Sequence, residues 1–100
     1  MGIIYYGDAR HAVEVEDRAL AHIKAVIVAK LRRGESCTFS WASQGDHRET
    51  IWLSPYIPLH FVFDTPERPA LNRRWLELLS QAAATPGGLY ELPEPEEKGA

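Results

Sequence analysis

The chain is short of the features that announce function. Among its 100 residues there is one cysteine, Cys37. A single thiol closes no internal disulfide, which excludes the stapled frameworks of small secreted domains. No apolar run reaches the ~18 residues of a membrane helix; the longest, Ala25–Ala29, is closed at both ends by lysines. The N-terminus has no basic segment followed by an apolar one, so no secretory signal is read. The expectation is a cytoplasmic protein with no membrane span.

Chemistry-bearing motifs are equally scarce. Of the four histidines, His11, His22, His47 and His60, only His22 falls in a predicted helix, where no ligand-type residue stands three or four positions away, and there is no C-x-x-C. No G-x-S-x-G, Walker A or G-x-G-x-x-G run occurs. Gly87-Gly88 follows a helix instead of opening one, so it reads as a stop signal. Cys37 sits mid-strand on the face of Phe39 and Trp41, a setting for an inert core thiol. No metal, cofactor or catalytic residue is assigned, and the chain leans towards a non-enzyme, with a small enzyme left as an open alternative that no constellation supports.

There is also no basic excess. Net charge is −3. The Pro/Glu tail 93–100 carries −2, from Glu94, Glu96 and Glu97 against Lys98. The body, residues 1–92, has ten basic and eleven acidic side chains. Any nucleic-acid interface has to be local.

What is present is clear patterning. Gly2–Tyr6 and His11–Val15 form a hairpin around Gly7-Asp8-Ala9-Arg10. A helix starts at Glu16 or Asp17, with Leu20, Ile23, Ile27 and Leu31 on one stripe and Gly34 as its C-terminal cap. Arg18, His22, Lys24 and Lys30 are expected on its open side. Ser36–Trp41, Arg48–Leu53 and Ile57–Phe63 alternate as a three-stranded meander, with a turn at Ser43–Asp46. A second helix runs from Asn72, its N-cap, with Leu71, Trp75, Leu78, Leu79 and Ala82 on one face. Leu89–Leu92 is a short edge strand, since Pro93 cannot donate to a ladder. The fold class is α+β in the order β-β-α-β-β-β-α-β, a mostly antiparallel sheet with both helices on one face. Residues 1–92 form one domain, and the tail 93–100 is expected to be mobile.

One feature breaks the pattern. Arg68, Arg73 and Arg74 gather at the start of the second helix, where cations oppose the dipole. A bound anion would offset that, because helix-start amides and guanidinium forks suit phosphate. Lys30, Arg32 and Arg33 form a second cluster at the end of the first helix. If the helices lie antiparallel, the six make one patch fit for a nucleic-acid backbone. The competing reading pairs these arginines with Glu35, Asp64, Glu67 or the acidic tail. Trp41 and Trp52, on adjacent strands, are expected in core or sheet packing rather than in base stacking.

Four stretches carry a resemblance: Tyr6-Gly7-Asp8, Glu16-Asp17-Arg18-Ala19-Leu20-Ala21-His22, Lys30-Leu31-Arg32-Arg33-Gly34-Glu35-Ser36 and Leu71-Asn72-Arg73-Arg74-Trp75-Leu76-Glu77. With the Trp52-Leu53-Ser54-Pro55 exit and Gly88-Leu89, they resemble a family of small actinobacterial proteins often labelled ATP-dependent DNA ligase. The resemblance implies a link to DNA transactions. It does not carry ligase chemistry, which needs a nucleophilic lysine in Lys-x-Asp-Gly. The lysines here precede Ala25-Val26-Ile27, Leu31-Arg32-Arg33 and Gly99-Ala100. The leading expectation is a non-catalytic module binding DNA or another phosphate-bearing ligand through the six basic residues; the alternative is a homodimeric interaction domain pairing through its last, exposed edge.

Overall fold

The computed structural model describes residues 1–7, 11–43 and 47–96. Two expected turns (at 8–10 and 44–46) and the end of the tail (97–100) lie outside the described residues. The order of elements is β1 (Gly2–Tyr6), β2 (His11–Val15), α1 (Asp17–Arg32), β3 (Cys37–Ser43), β4 (His47–Leu53), β5 (Leu59–Val62), α2 (Arg73–Ala83) and β6 (Leu89–Tyr90). This is the expected α+β order.

The strands divide into two sheets, ordered β2-β1-β5 and β4-β3-β6. The first is antiparallel throughout. In the second, β3 pairs antiparallel with β4 and parallel with β6. The expected three-stranded meander is therefore broken after β4. The connector Ser54–Pro58 holds two prolines, which suit no tight hairpin, and it carries the chain across to β1. There Gly7 N–H donates to the Pro58 carbonyl at 3.0 Å, and Tyr6 pairs with Leu59. β1 thereby gains a ladder on both sides, as its apolar sequence favours.

Local signals account for the helix ends. The Glu16 carboxylate accepts from Arg18 N–H at 2.5 Å and caps α1. At the other end Gly34 adopts φ +74° and its N–H reaches the Leu31 carbonyl. Asn72 caps α2, its side-chain oxygen accepting from Trp75 N–H at 3.2 Å. α1 packs against α2 and β1, while α2 lies against β3 and β6. One core results. It contains Ile4, Val13 and Val15 from the first sheet, Leu20, Ile23 and Ile27 from α1, Phe39, Leu53 and Leu89 from the second sheet, and Trp75 and Leu79 from α2.

Candidate functional site

The structure corrects the reading of His22 first. Expected on the open side of α1, it is fully buried. Its ring lies 4.4 Å from that of Trp75, centroid to centroid. Nδ1 is 2.8 Å from the Arg18 carbonyl, and Nε2 accepts from the Asn72 backbone N–H at 2.8 Å. A carbonyl only accepts and an amide N–H only donates, so the neutral ring carries its proton on Nδ1.

Asn72, also buried, extends this hub. Its amide nitrogen donates to the Glu94 carboxylate at 3.0 Å and to the Pro95 carbonyl at 2.9 Å. Arg18 meets Glu94 with two parallel bonds, each 2.8 Å, and donates to the Ala70 carbonyl at 3.3 Å. The Trp75 indole donates to the Leu92 carbonyl. The guanidinium and the Asn72 amide hold the Glu94 carboxyl down at about 2. The start of the Pro/Glu tail is thus tied to both helices, by contacts its composition did not foretell. The hub is built from two stretches that carry the family resemblance, Glu16–His22 and Leu71–Glu77. Every buried polar side-chain atom described has a partner, and the bonds of the hub join the two helices to the strap across them.

The hub also decides how the basic clusters lie. Asn72 and Ala70 contact His22 and Arg18, so α2 begins beside the first turns of α1. Lys30–Arg33 lie eight to eleven residues further along, roughly 12–16 Å at 1.5 Å per residue. The expected union of six basic residues rested on the end of α1 meeting the start of α2, and this geometry sets the two apart. Lys30 and Arg33 both pair with Glu35, at 3.2 and 3.3 Å, and that pairing lowers the Glu35 pKa. Among the described residues no ion pair is formed by Arg32, Arg68 or Arg74; Arg73 has a partner.

Arg68 instead lines a groove of about 720 Å³ between α1 and the connector to α2. Ala21, Ala25, Val28, Phe63, Pro66 and Leu71 form its apolar lining, and Lys24, Glu67 and Arg68 its charged rim. The Lys24 ammonium stands 5.7 Å over the Phe63 ring.

The second sheet holds a further surface. Its register sets Thr38 against Trp52, Ser40 against Thr50 and Tyr90, and Ala42 against Arg48. These side chains share the face turned away from the core, because Cys37, Phe39, Leu53 and Leu89 fill the other. Trp41 is packed inward and stacks on Phe39 at 5.8 Å, as expected. Trp52 is not in the core. It is 63 % exposed, and Tyr90 is 47 % exposed. The Ser40 and Thr50 hydroxyls bond at 2.7 Å between them. The signal for Trp52 was in the sequence: Ile51 and Leu53 alternate with Arg48, Thr50 and Trp52, which puts the tryptophan on the polar face. Cys37 is buried, and burial pushes its thiol pKa up against the pull of Lys30. Among the described residues no cluster of three metal-ligating side chains forms, and no helix is long and apolar enough to cross a membrane.

Comparison with curated proteins and with solved structures returns no match. A family model, a domain of unknown function (DUF7882), matches residues 1–94. The match takes in both helices, both sheets and Glu94, the carboxylate that ties the strap to Arg18 and Asn72. The chain belongs to the family of this domain, DUF7882.

Proposed function

We propose that the protein is a non-catalytic module that binds single-stranded nucleic acid, DNA in the first instance, on the outer face of the β4-β3-β6 sheet. The observation that carries this reading is the exposure of Trp52 on a strand paired along its length with β3, with Tyr90 on the same face. The two aromatics flank β3, separated by about 10 Å across the sheet and roughly 7 Å along it. That is a spacing for successive or alternate splayed bases. Exposed rings on a sheet offer every base a stacking surface worth about 1–3 kcal/mol per base. Thr38, Ser40 and Thr50 form a polar floor, and Arg48 on the same face supplies a phosphate contact. The Tyr6 hydroxyl donates to the Trp52 carbonyl at 2.5 Å and fixes the backbone beneath the ring.

The negative net charge fits a stacking mode better than a backbone mode. Binding should be modest in affinity and shallow in salt dependence, with a slope of about −0.7 per phosphate neutralised. The test is anisotropy of a labelled oligothymidylate at low salt. Trp52→Ala should weaken binding about tenfold or more, and a duplex of equal length should bind poorly. If Trp52→Ala binds like the parent and Arg68→Glu or Arg74→Glu does not, the interface lies at the helix ends and the sheet reading fails.

A further inference from the structure

We propose that the groove between α1 and the 63–71 connector binds a single-chain amphiphile with an anionic head, of the fatty-carboxylate class. The inference is independent of the sheet face, with which it shares no side chain.

The shape comes from the sequence. Ala21, Ala25 and Val28 lie one helical turn apart on a single stripe of α1, and their short side chains leave a trough. Phe63 and Leu71 face them from the connector, and Leu71 stays 44 % exposed. The volume of about 720 Å³ falls within the range of small-molecule sites, and the apolar lining with few polar groups is their usual composition. An acyl chain would cover surface that nothing in the described fold covers.

The charge on the rim chooses the head group. Lys24 and Arg68 line the groove, and neither has a carboxylate partner among the described residues. The Lys24 ammonium rests over the Phe63 ring, a weak hold for a cation on a flexible stem. A carboxylate between the two would form charge-assisted bonds to both. Glu67 shares the rim, so the three side chains carry a net single positive charge. This selects one anionic head over a polyanion.

The test titrates dodecanoate, below its critical micelle concentration, into the full chain, followed by calorimetry and backbone-amide NMR. Saturable binding of one dodecanoate per chain is expected, with shifts centred on Ala21, Ala25, Val28 and Leu71. The double variant Lys24→Gln/Arg68→Gln, altered only at the rim, should bind about tenfold or more weakly. Glu67→Gln should bind dodecanoate more tightly and leave dodecan-1-ol unchanged. Inorganic phosphate alone should shift none of these amides. Four results would overturn the proposal: no saturable binding, dodecan-1-ol binding as tightly as dodecanoate, shifts centred on another surface, or a double variant with parental affinity.

Discussion

The backbone N–H of Asn72 donates to Nε2 of His22 at 2.8 Å, across fifty residues of chain. An imidazole buried inside one helix thus receives an amide at the entry to another. Because the ring proton sits on Nδ1, no apolar or purely donating side chain can replace His22 there. His22→Leu leaves the Asn72 amide without a partner, at about 1–3 kcal/mol. Asn72→Ala removes the α2 cap and the amide contacts to Glu94 and Pro95, at about 1–3 kcal/mol. The two side chains fix the same residue, His22 through its backbone amide and Asn72 through its own cap, so the double variant should be less destabilised than the sum. Urea unfolding of the four chains measures this coupling.

The strap gives a pH dependence of definite sign. The folded Glu94 carboxyl sits at about 2 against an ordinary 4.5. A depressed folded pKa contributes stability that is present above the ordinary value and is lost as pH falls toward the folded one. Melting temperature should therefore fall between about pH 5 and pH 2. Glu35, lowered by Arg33 and Lys30, acts in the same direction, so Glu94→Gln serves as the control. The gap in melting temperature between parent and variant should be widest near neutrality and close on acidification; a gap that widens in acid contradicts the Arg18–Glu94 pairing.

Two left-handed glycines separate backbone strain from steric overlap. Gly34 has φ +74° with nothing within 4 Å of an added Cβ. Gly34→Ala should cost only the conformational penalty, about 1–2 kcal/mol. Gly88 has φ +79°, and an added Cβ would overlap Thr38 Oγ1, with the Thr38 carbonyl at 3.0 Å. Gly88→Ala should be clearly the more destabilising, because β6 pairs with β3 at this point. Chemical denaturation ranks the two variants directly.

Trp52 should separate binding from folding. Its ring is outside the core, so Trp52→Ala should change stability by no more than about 0.5 kcal/mol. Phe39→Ala, on the opposite face of the same sheet and fully buried, should cost about 3–5 kcal/mol. A large loss of stability in Trp52→Ala would mean that the tryptophan is structural and would remove the motive for the stacking surface.

Element type was legible in this sequence wherever a single local rule applied. The α1 stripe, the Gly34 stop, the Asn72 cap and the alternation of β3 each follow from neighbours a few residues apart. What local rules could not supply was long-range pairing. The two prolines before β5 argue against a tight hairpin with β4, but nothing local names β1, an apolar strand more than fifty residues upstream, as its partner. His22 stands for the same limit. On a helical wheel it is a polar residue beside Lys24, and only the arrival of Asn72 and Trp75 explains its burial. The candidate site followed suit. Two clusters of basic residues are evident, but their separation depends on where α2 enters, and the place of Lys24 over Phe63 at the groove depends on the connector folding back onto α1. Trp52 alternates with Ile51 and Leu53 onto the polar face, against the common preference of a strand tryptophan for the core.

Amide shift mapping with an unlabelled oligothymidylate reads the stacking surface residue by residue. Saturable shifts are expected at Thr38, Ser40, Thr50, Trp52 and Tyr90, including the Trp52 indole N–H, with the Trp41 and Trp75 indoles unmoved; stacking on this face requires that pattern. Shifts confined to Arg32, Arg68, Arg74 and their neighbours, or none at low salt, would contradict it.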